Sequence, residues 1–261
     1  MYAKDLDNDG DMDIMSASAN DDKIAWYENN GAGDPSFTAR TIATTADGAA
    51  SVFAADIDGD GDQDIISASL NDNTVAWYEN GLAAFGDPSF SSANITTSFD
   101  AAAQILTVDI DNDGDLDVLG AAYADDEIAW FENNGASDPS FTSRTIAMGT
   151  SSVNGAWSVY AADMDSDGDI DVLSASVLDN KIAWYENDGA SDPSFTANTI
   201  TTSADGAFSV YAADIDSDGD MDVLSASISD DKIAWYESDG AADPSFTART
   251  ITTSADGADS V

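Results

Sequence analysis

The chain contains no cysteine and no histidine in 261 residues. Without Cys there is no disulfide framework and no thiolate metal site. Missing disulfides leave the compartment open. Without His the commonest general base is gone, and with it the usual zinc and iron ligand. Basic residues are nearly as scarce: seven Lys+Arg stand against 51 Asp+Glu, for a formal charge of −44. A surface of that sign disfavours nucleic acid and anionic membrane as partners and favours cations. No run is long and apolar enough to span a bilayer. The opening MYAKDLDNDGD lacks the apolar stretch of a signal peptide. No segment keeps a helical period long enough for a helix.

What is present is aspartate. Only Glu28, Glu79, Glu127, Glu132, Glu186 and Glu237 are Glu, so the other 45 acids are Asp. Asp is a poor helix and strand former but suits turns and hard cations. It concentrates in one motif, D-x-D-x-D-G-D-x-D, beginning at Asp5, Asp56, Asp109, Asp163 and Asp214, with spacings of 51, 53, 54 and 51 residues. Periods in this range point to propellers, solenoids or arrays.

Each unit carries the same four short runs. In the last unit they are Ser209–Ala213, Asp222–Ser227, Lys232–Glu237 and Phe246–Ile251. The runs are β-rich, and turn residues separate them. A β-helix needs a shorter rung, and a sandwich would not repeat so closely. The expectation is an all-β fold: a β-propeller of five four-stranded blades, one domain over residues 1–261. The Asp loops and the Asp-Pro loops should share one rim, and the 2–3 and 4–1 loops the other. Around that second rim Phe53, Gln104, Trp157 and Phe208 vary between units.

Met1 and Val261 fall at the same repeat position, five periods apart. The sequence is thus cut in the middle of a first strand. Three readings are open: a module of a longer chain, copies that complete each other's strand, or an arbitrary boundary.

Calcium takes six to eight oxygens, and a curled loop turns alternate residues inward. Positions 1, 3 and 5 are therefore expected as ligands: Asp5, Asp7 and Asp9; Asp56, Asp58 and Asp60; Asp109, Asp111 and Asp113; Asp163, Asp165 and Asp167; Asp214, Asp216 and Asp218. Gly at position 6 permits the sharp turn. Position 7 offers its backbone carbonyl, from Asp11, Asp62, Asp115, Asp169 and Asp220. Position 9 closes the site as a bidentate carboxylate: Asp13, Asp64, Asp117, Asp171 and Asp222. The bland alternative is an acidic, solvated turn. Five Asp in nine residues argue against it, because uncompensated like charges raise one another's pKa. About five Ca²⁺ are expected, one per repeat, and magnesium suits such loops less well.

The loop DIDSDGDMDVLSAS with the following KIAWYESDG resembles FG-GAP/VCBS-type repeats of secreted and marine bacterial proteins. It is also similar to the calcium loops of the integrin α-subunit propeller. The resemblance covers all five units. It implies four-stranded blades, each holding calcium between its first and second strands. Family members mostly serve adhesion, carbohydrate recognition or cell-surface assembly.

Other features repeat too. Trp26, Trp77, Trp130, Trp184 and Trp235 recur in A-W-[YF]-E. Inter-blade packing is the simpler reading, and a sugar-stacking platform the sharper one. The Glu after each pair reads as a solvated strand end or a partner of the Lys in the same run. Asp-Pro-Ser-Phe begins at Asp34, Asp87, Asp138, Asp192 and Asp243, each an expected turn. Asn94-Ile95-Thr96 is the one N-glycosylation sequon. A glycosidase would need non-equivalent acids with separated pKa values. Nearly all acids here are repeat-equivalent, and Asp100, Glu127 and Asp259 are scattered, so a non-catalytic chain is expected.

The functional expectation is a calcium-stabilised extracellular structural or adhesion module, polymerising through strand sharing between copies or joined to neighbouring modules. A calcium-dependent lectin that binds glycans is the alternative. Five divalent ions would reduce −44 only to −34. The remaining acidity suits a prokaryotic cell surface in saline or marine water, where salt screens charge.

Overall fold

The computed structural model describes residues 1–81 and 88–261. Asp87, the expected start of the second Asp-Pro turn, lies outside them. Among the described residues, twenty strands form five four-stranded antiparallel sheets. The first is β1 (Tyr2–Lys4), β2 (Asp13–Ser18), β3 (Lys23–Asn29) and β4 (Phe37–Ala43). The second is β5 (Ala49–Ala55), β6 (Asp64–Ser69), β7 (Thr74–Asn80) and β8 (Phe90–Thr96). The third is β9 (Ala102–Val108), β10 (Asp117–Ala122), β11 (Glu127–Asn133) and β12 (Phe141–Met148). The fourth is β13 (Ala156–Ala162), β14 (Asp171–Ser176), β15 (Lys181–Asn187) and β16 (Phe195–Thr201). The fifth is β17 (Ala207–Ala213), β18 (Asp222–Ser227), β19 (Lys232–Ser238) and β20 (Phe246–Thr252). Strands follow chain order within every sheet, so each is an up-and-down meander: the blade of a β-propeller. No helix among the described residues is long and apolar enough to cross a membrane.

The chain divides into two compact units. One comprises Met1–Thr107, Asp115–Gly120 and Phe131–Ser143, and the other Val108–Gly114, Ala121–Trp130 and Arg144–Val261. The first unit's core gathers Leu6, Met15, Ile24 and Trp26 with Val52, Ile65 and Tyr78. The second repeats that recipe with Met164, Leu173, Ile182 and Trp184 against Val210, Val223 and Tyr236. In both, the second and third strands of one blade pack on the first strands of the next.

The four runs of the last unit appear as strands where the sequence places them. The first begins two residues early, at Ala207. A register shift between Ala207 and Ser209 leaves Phe208 as a bulged residue, and Trp157 occupies the same bulge in β13. A bulge re-aims its side chain. Here it brings the rings of Trp157 and Phe208 to 4.5 Å, with Tyr123 edge-on to Trp157 at 5.6 Å.

The two ends of the blades sort as expected. Gly31, in the β3–β4 loop, lies against the Asp11 carboxylate of the Asp loop. At the other end Leu70 and Asn71, after β6, donate their N–H groups to the carbonyls of Gly48 and Asp47, before β5.

Trp26, Trp77, Trp130 and Trp184 are buried, with at most 4% exposed. Burial of that degree supports packing over a sugar platform. Trp235 is half-buried, and Arg249 lies over its ring at 5.3 Å. The solvated reading of the neighbouring Glu residues needs correction at Glu28 and Glu237. Glu28 accepts from Arg40 Nε at 2.7 Å, and Glu237 from Arg249 Nε at 2.7 Å. The lysines pair instead with an Asp two residues earlier: Asp21, Asp179 and Asp230. Alternate residues of a strand point to opposite faces, so Glu28 meets the arginine of the next strand rather than Lys23.

Candidate metal centres in the aspartate loops

Each Asp loop is the connection from the first to the second strand of its blade. The curl needs positive φ at positions 4 and 6. Position 4 is Asn8, Gly59, Asn112, Ser166 or Ser217, with φ between 58° and 74°. Position 6 is always Gly, with φ between 95° and 100°. A Cβ at Gly10 would meet nothing within 4 Å, so glycine is required there for its backbone angle and not for space.

The loop is knit by its own carboxylates. Position 1 accepts from the position-6 N–H: Asp5 Oδ2 from Gly10 at 2.9 Å, with the same bond at Asp56, Asp109, Asp163 and Asp214. Position 3 accepts from the position-5 N–H, as Asp7 does from Asp9 at 3.2 Å and Asp111 from Asp113 at 3.3 Å. Position 5 accepts from the position-7 N–H, as Asp9 does from Asp11 at 2.9 Å. These bonds turn the carboxylates inward.

One oxygen is left over. Oδ1 of Asp5, Asp56 and Asp163 is buried and has no hydrogen-bond partner among the described residues. A buried anionic oxygen without a donor is costly unless a cation meets it. Around it, carboxylate oxygens lie within 4.8 Å of one another in the groups Asp5–Asp7–Asp13, Asp56–Asp58–Asp60, Asp163–Asp165–Asp171 and Asp214–Asp216–Asp218. Positions 1 and 3 recur in all of these, joined by position 5 or position 9. An all-oxygen donor set fits a hard divalent cation. The residues present therefore fit a metal.

Position 9 has a task the motif does not reveal. Asp13 Oδ2 accepts from Leu6 N–H at 3.1 Å and its Oδ1 from Asn29 N–H at 2.8 Å. Asp64, Asp171 and Asp222 make the same two bonds, and Asp117 accepts from Asn133 N–H at 2.8 Å. All five are buried, at 1% exposure or less. Each oxygen keeps one lone pair, so the residue clamps the loop to the third strand while still facing the ligand group. At position 7, Asp62 Oδ1 accepts from Asn8 Nδ2 and Asp169 Oδ1 from Asn112 Nδ2, both at 3.0 Å. Neighbouring loops are thus bonded to each other.

The electrostatics match an acidic cage. Burial, and then the charges of Asp13, Asp9 and Asp5, push Asp7 up to about 6. Burial raises Asp64 to about 7 and Asp171 to about 6, against the opposing pull of their backbone N–H donors. Asp13, Asp58 and Asp165 are also raised, burial first.

Sequence reasoning missed the asparagine that ends the third strand. Asn80 Nδ2 donates to Leu6 O at 3.2 Å and Gln63 O at 3.1 Å, and Asn187 Nδ2 to Ile110 O and Ile170 O. Each therefore ties two consecutive Asp loops. The signal was present as Glu-Asn after the aromatic pair in four units, with Ser238 in the fifth.

A family model described as an FG-GAP-like repeat matches residues 5–67, 56–120, 109–174 and 164–225. No curated protein matches the sequence. Among solved structures, the V. cholerae biofilm matrix protein Bap1 is similar, with 17% identity and a TM-score of 0.51 over 99% of this chain. The chain spans only 39% of Bap1. A Lactobacillus plantarum protein matches 92% of this chain and 68% of its own, with 17% identity and a TM-score of 0.62. The Pseudomonas aeruginosa periplasmic gluconolactonase PpgL matches 98% of this chain and 70% of its own, with 16% identity and a TM-score of 0.62. At these identities the likeness is one of fold.

The last match corrects the expectation of a non-catalytic chain. That expectation rested on missing His and on the equivalence of the acids. The same fold serves an enzyme in PpgL, so repetition of the scaffold does not exclude catalysis.

Proposed function

The chain belongs to the FG-GAP-like repeat family, and from that premise we propose that it is a calcium-stabilised structural or adhesion module of a prokaryotic cell surface or matrix. The observation that carries the calcium reading is the buried, donorless Oδ1 of Asp5, Asp56 and Asp163, each set beside further carboxylates. A cation is the chemistry that satisfies such an atom, and the all-oxygen donor set favours calcium over softer metals. In this reading all 25 motif Asp serve the five loops, positions 1, 3 and 5 as ligands and position 9 as both clamp and ligand. Bound calcium would join the first strand of each blade to its second and third.

The fold shared with a biofilm matrix protein supports the structural half of the proposal. Assembly by strand sharing between copies, or joining to neighbouring modules, is part of this proposal.

Electron microscopy and size-exclusion chromatography, in calcium and in excess chelator, test the proposal. Calcium-dependent polymers or surface-bound assemblies are expected. Discrete monomers in both conditions, with saturable glycan-array binding, would favour the lectin reading instead.

A further inference from the structure

The third strands of the fourth and fifth blades begin with a lysine that bridges two loops. Lys232 Nζ donates to the Ser203 carbonyl at 2.7 Å and pairs with Asp230 at 2.7 Å. Lys181 Nζ does the same with Ser152 and Asp179. The ammonium group closes the gap between the turn before its own strand and the connection from the preceding blade.

The second blade keeps this frame without the lysine. Thr74 stands at the lysine position, Asp72 at the carboxylate position and Thr45 at the carbonyl position. The Thr74 hydroxyl turns back to the Asp72 carbonyl at 3.1 Å. A partly open cavity of about 370 Å³ remains, lined by Thr45, Asp72 and Thr74. Asp72 Oδ1 is buried and has no hydrogen-bond partner among the described residues. The same oxygen is also unpartnered in Asp179 and Asp230, but there the second carboxylate oxygen holds a lysine.

The rest of the lining departs from the repeat in the same place. Ser92 pairs with Tyr78 where the fourth blade pairs Ala197 with Tyr185. Asn94 pairs with Ala76 where the fourth blade pairs Thr199 with Ala183. Both exposed residues line the cavity and enrich its rim in polar groups, while Tyr78 forms part of an apolar wall. The second blade thus has the polar frame but no lysine within it.

We infer that this cavity is a binding site for a primary ammonium group on an alkyl stem. The ligand's ammonium meets Asp72 and the Thr45 carbonyl, as the fourth and fifth blades' own lysines meet theirs, and its stem lies along the Tyr78 wall. A charge-paired, partly desolvated ammonium is the pairing such a carboxylate lacks. The formal charge of −44 further concentrates cations at the surface. The site is separate from the Asp loops and does not rest on their reading.

The test titrates n-butylammonium, the match of a lysine side chain, into the calcium-saturated full chain by calorimetry, with n-butanol as the neutral control. Saturable binding of butylammonium and none of butanol is expected. Thr74→Lys supplies the ammonium from within, as Lys181 and Lys232 do, and should weaken binding by about tenfold or more without lowering the melting temperature. Asp72→Asn should weaken it to a similar extent. Tighter binding of cadaverine identifies a free diamine as the preferred ligand, and tighter binding of Nα-acetyl-lysine methylamide identifies a lysine from another protein. Absence of saturable binding, equal binding of butanol, or binding unchanged in both variants overturns the inference.

Discussion

The side-chain amide of Asn133 donates to the backbone carbonyl of Ile57 at 3.0 Å, across 76 residues of sequence. Its second N–H reaches Leu116 O at 3.1 Å. Asn133 ends the third strand of one blade, and Ile57 is the second residue of the preceding Asp loop. One buried side chain therefore fastens two Asp loops together. Asn133→Ala leaves both carbonyls without this donor, and unfolding should become easier by about 1–3 kcal/mol. Denaturant melts of the variant and parent measure this, and Asn187→Ala should behave alike.

Gly31 is a second constraint outside the motif. Its φ is +64°, and a Cβ there would run into the Asp11 carboxylate. Gly33, two residues on, has open space and an ordinary φ. Gly31→Ala should therefore weaken metal binding by the first loop, while Gly33→Ala leaves it unchanged. Metal titration of the two variants decides the point.

Raised carboxylates make stability depend on pH in opposite senses with and without metal. Asp7, Asp64 and Asp171 hold their protons to about 6, 7 and 6 in the fold, against 3.8 ordinarily. Between these limits the metal-free fold binds more protons than the unfolded chain. Its stability should therefore be greatest near pH 4 and should fall as pH rises to about 7. Metal binding needs the ionised groups, so the metal-loaded protein should gain stability over the same range. Melting temperatures at pH 5 and 7.5, with chelator and with calcium, give the two signs.

Lys232 offers a test of the blade-bridging lysines. Lys232→Ala removes the bond to Ser203 and leaves Asp230 unpaired in a partly buried turn. A loss of about 1–3 kcal/mol is expected, as for a hydrogen bond to a charged group. Thr74→Lys in the second blade should bring no such loss, and thermal melts of the two variants compare them.

The strands and the Asp loops were legible because both are local. A period near 50 set the repeat, alternation marked Asp222–Ser227, and Gly at position 6 marked the turn. The roles of position 9 and of the strand-end asparagines were not legible. Their partners lie up to 77 residues away, and a motif read along one unit cannot place Asn187 against Ile110. The pairing of Glu28 was hidden for a related reason, since its partner Arg40 sits on the adjacent strand. The cavity beside Thr74 became visible only when the structure put Ser92 and Asn94 on the same wall as Asp72. Equivalence of the acids is a property of the scaffold, and because a similar fold serves an enzyme in PpgL, that equivalence does not exclude catalysis.

In the proposed reading the five Asp loops are calcium sites that tie together the strands of each blade. Calorimetric titration of the chelator-stripped chain with Ca²⁺, paired with melting curves at low salt, tests it most directly. About five ions per chain are expected, with a melting temperature raised sharply on loading. Failure to bind calcium, or a melt unchanged in excess chelator, would contradict the account.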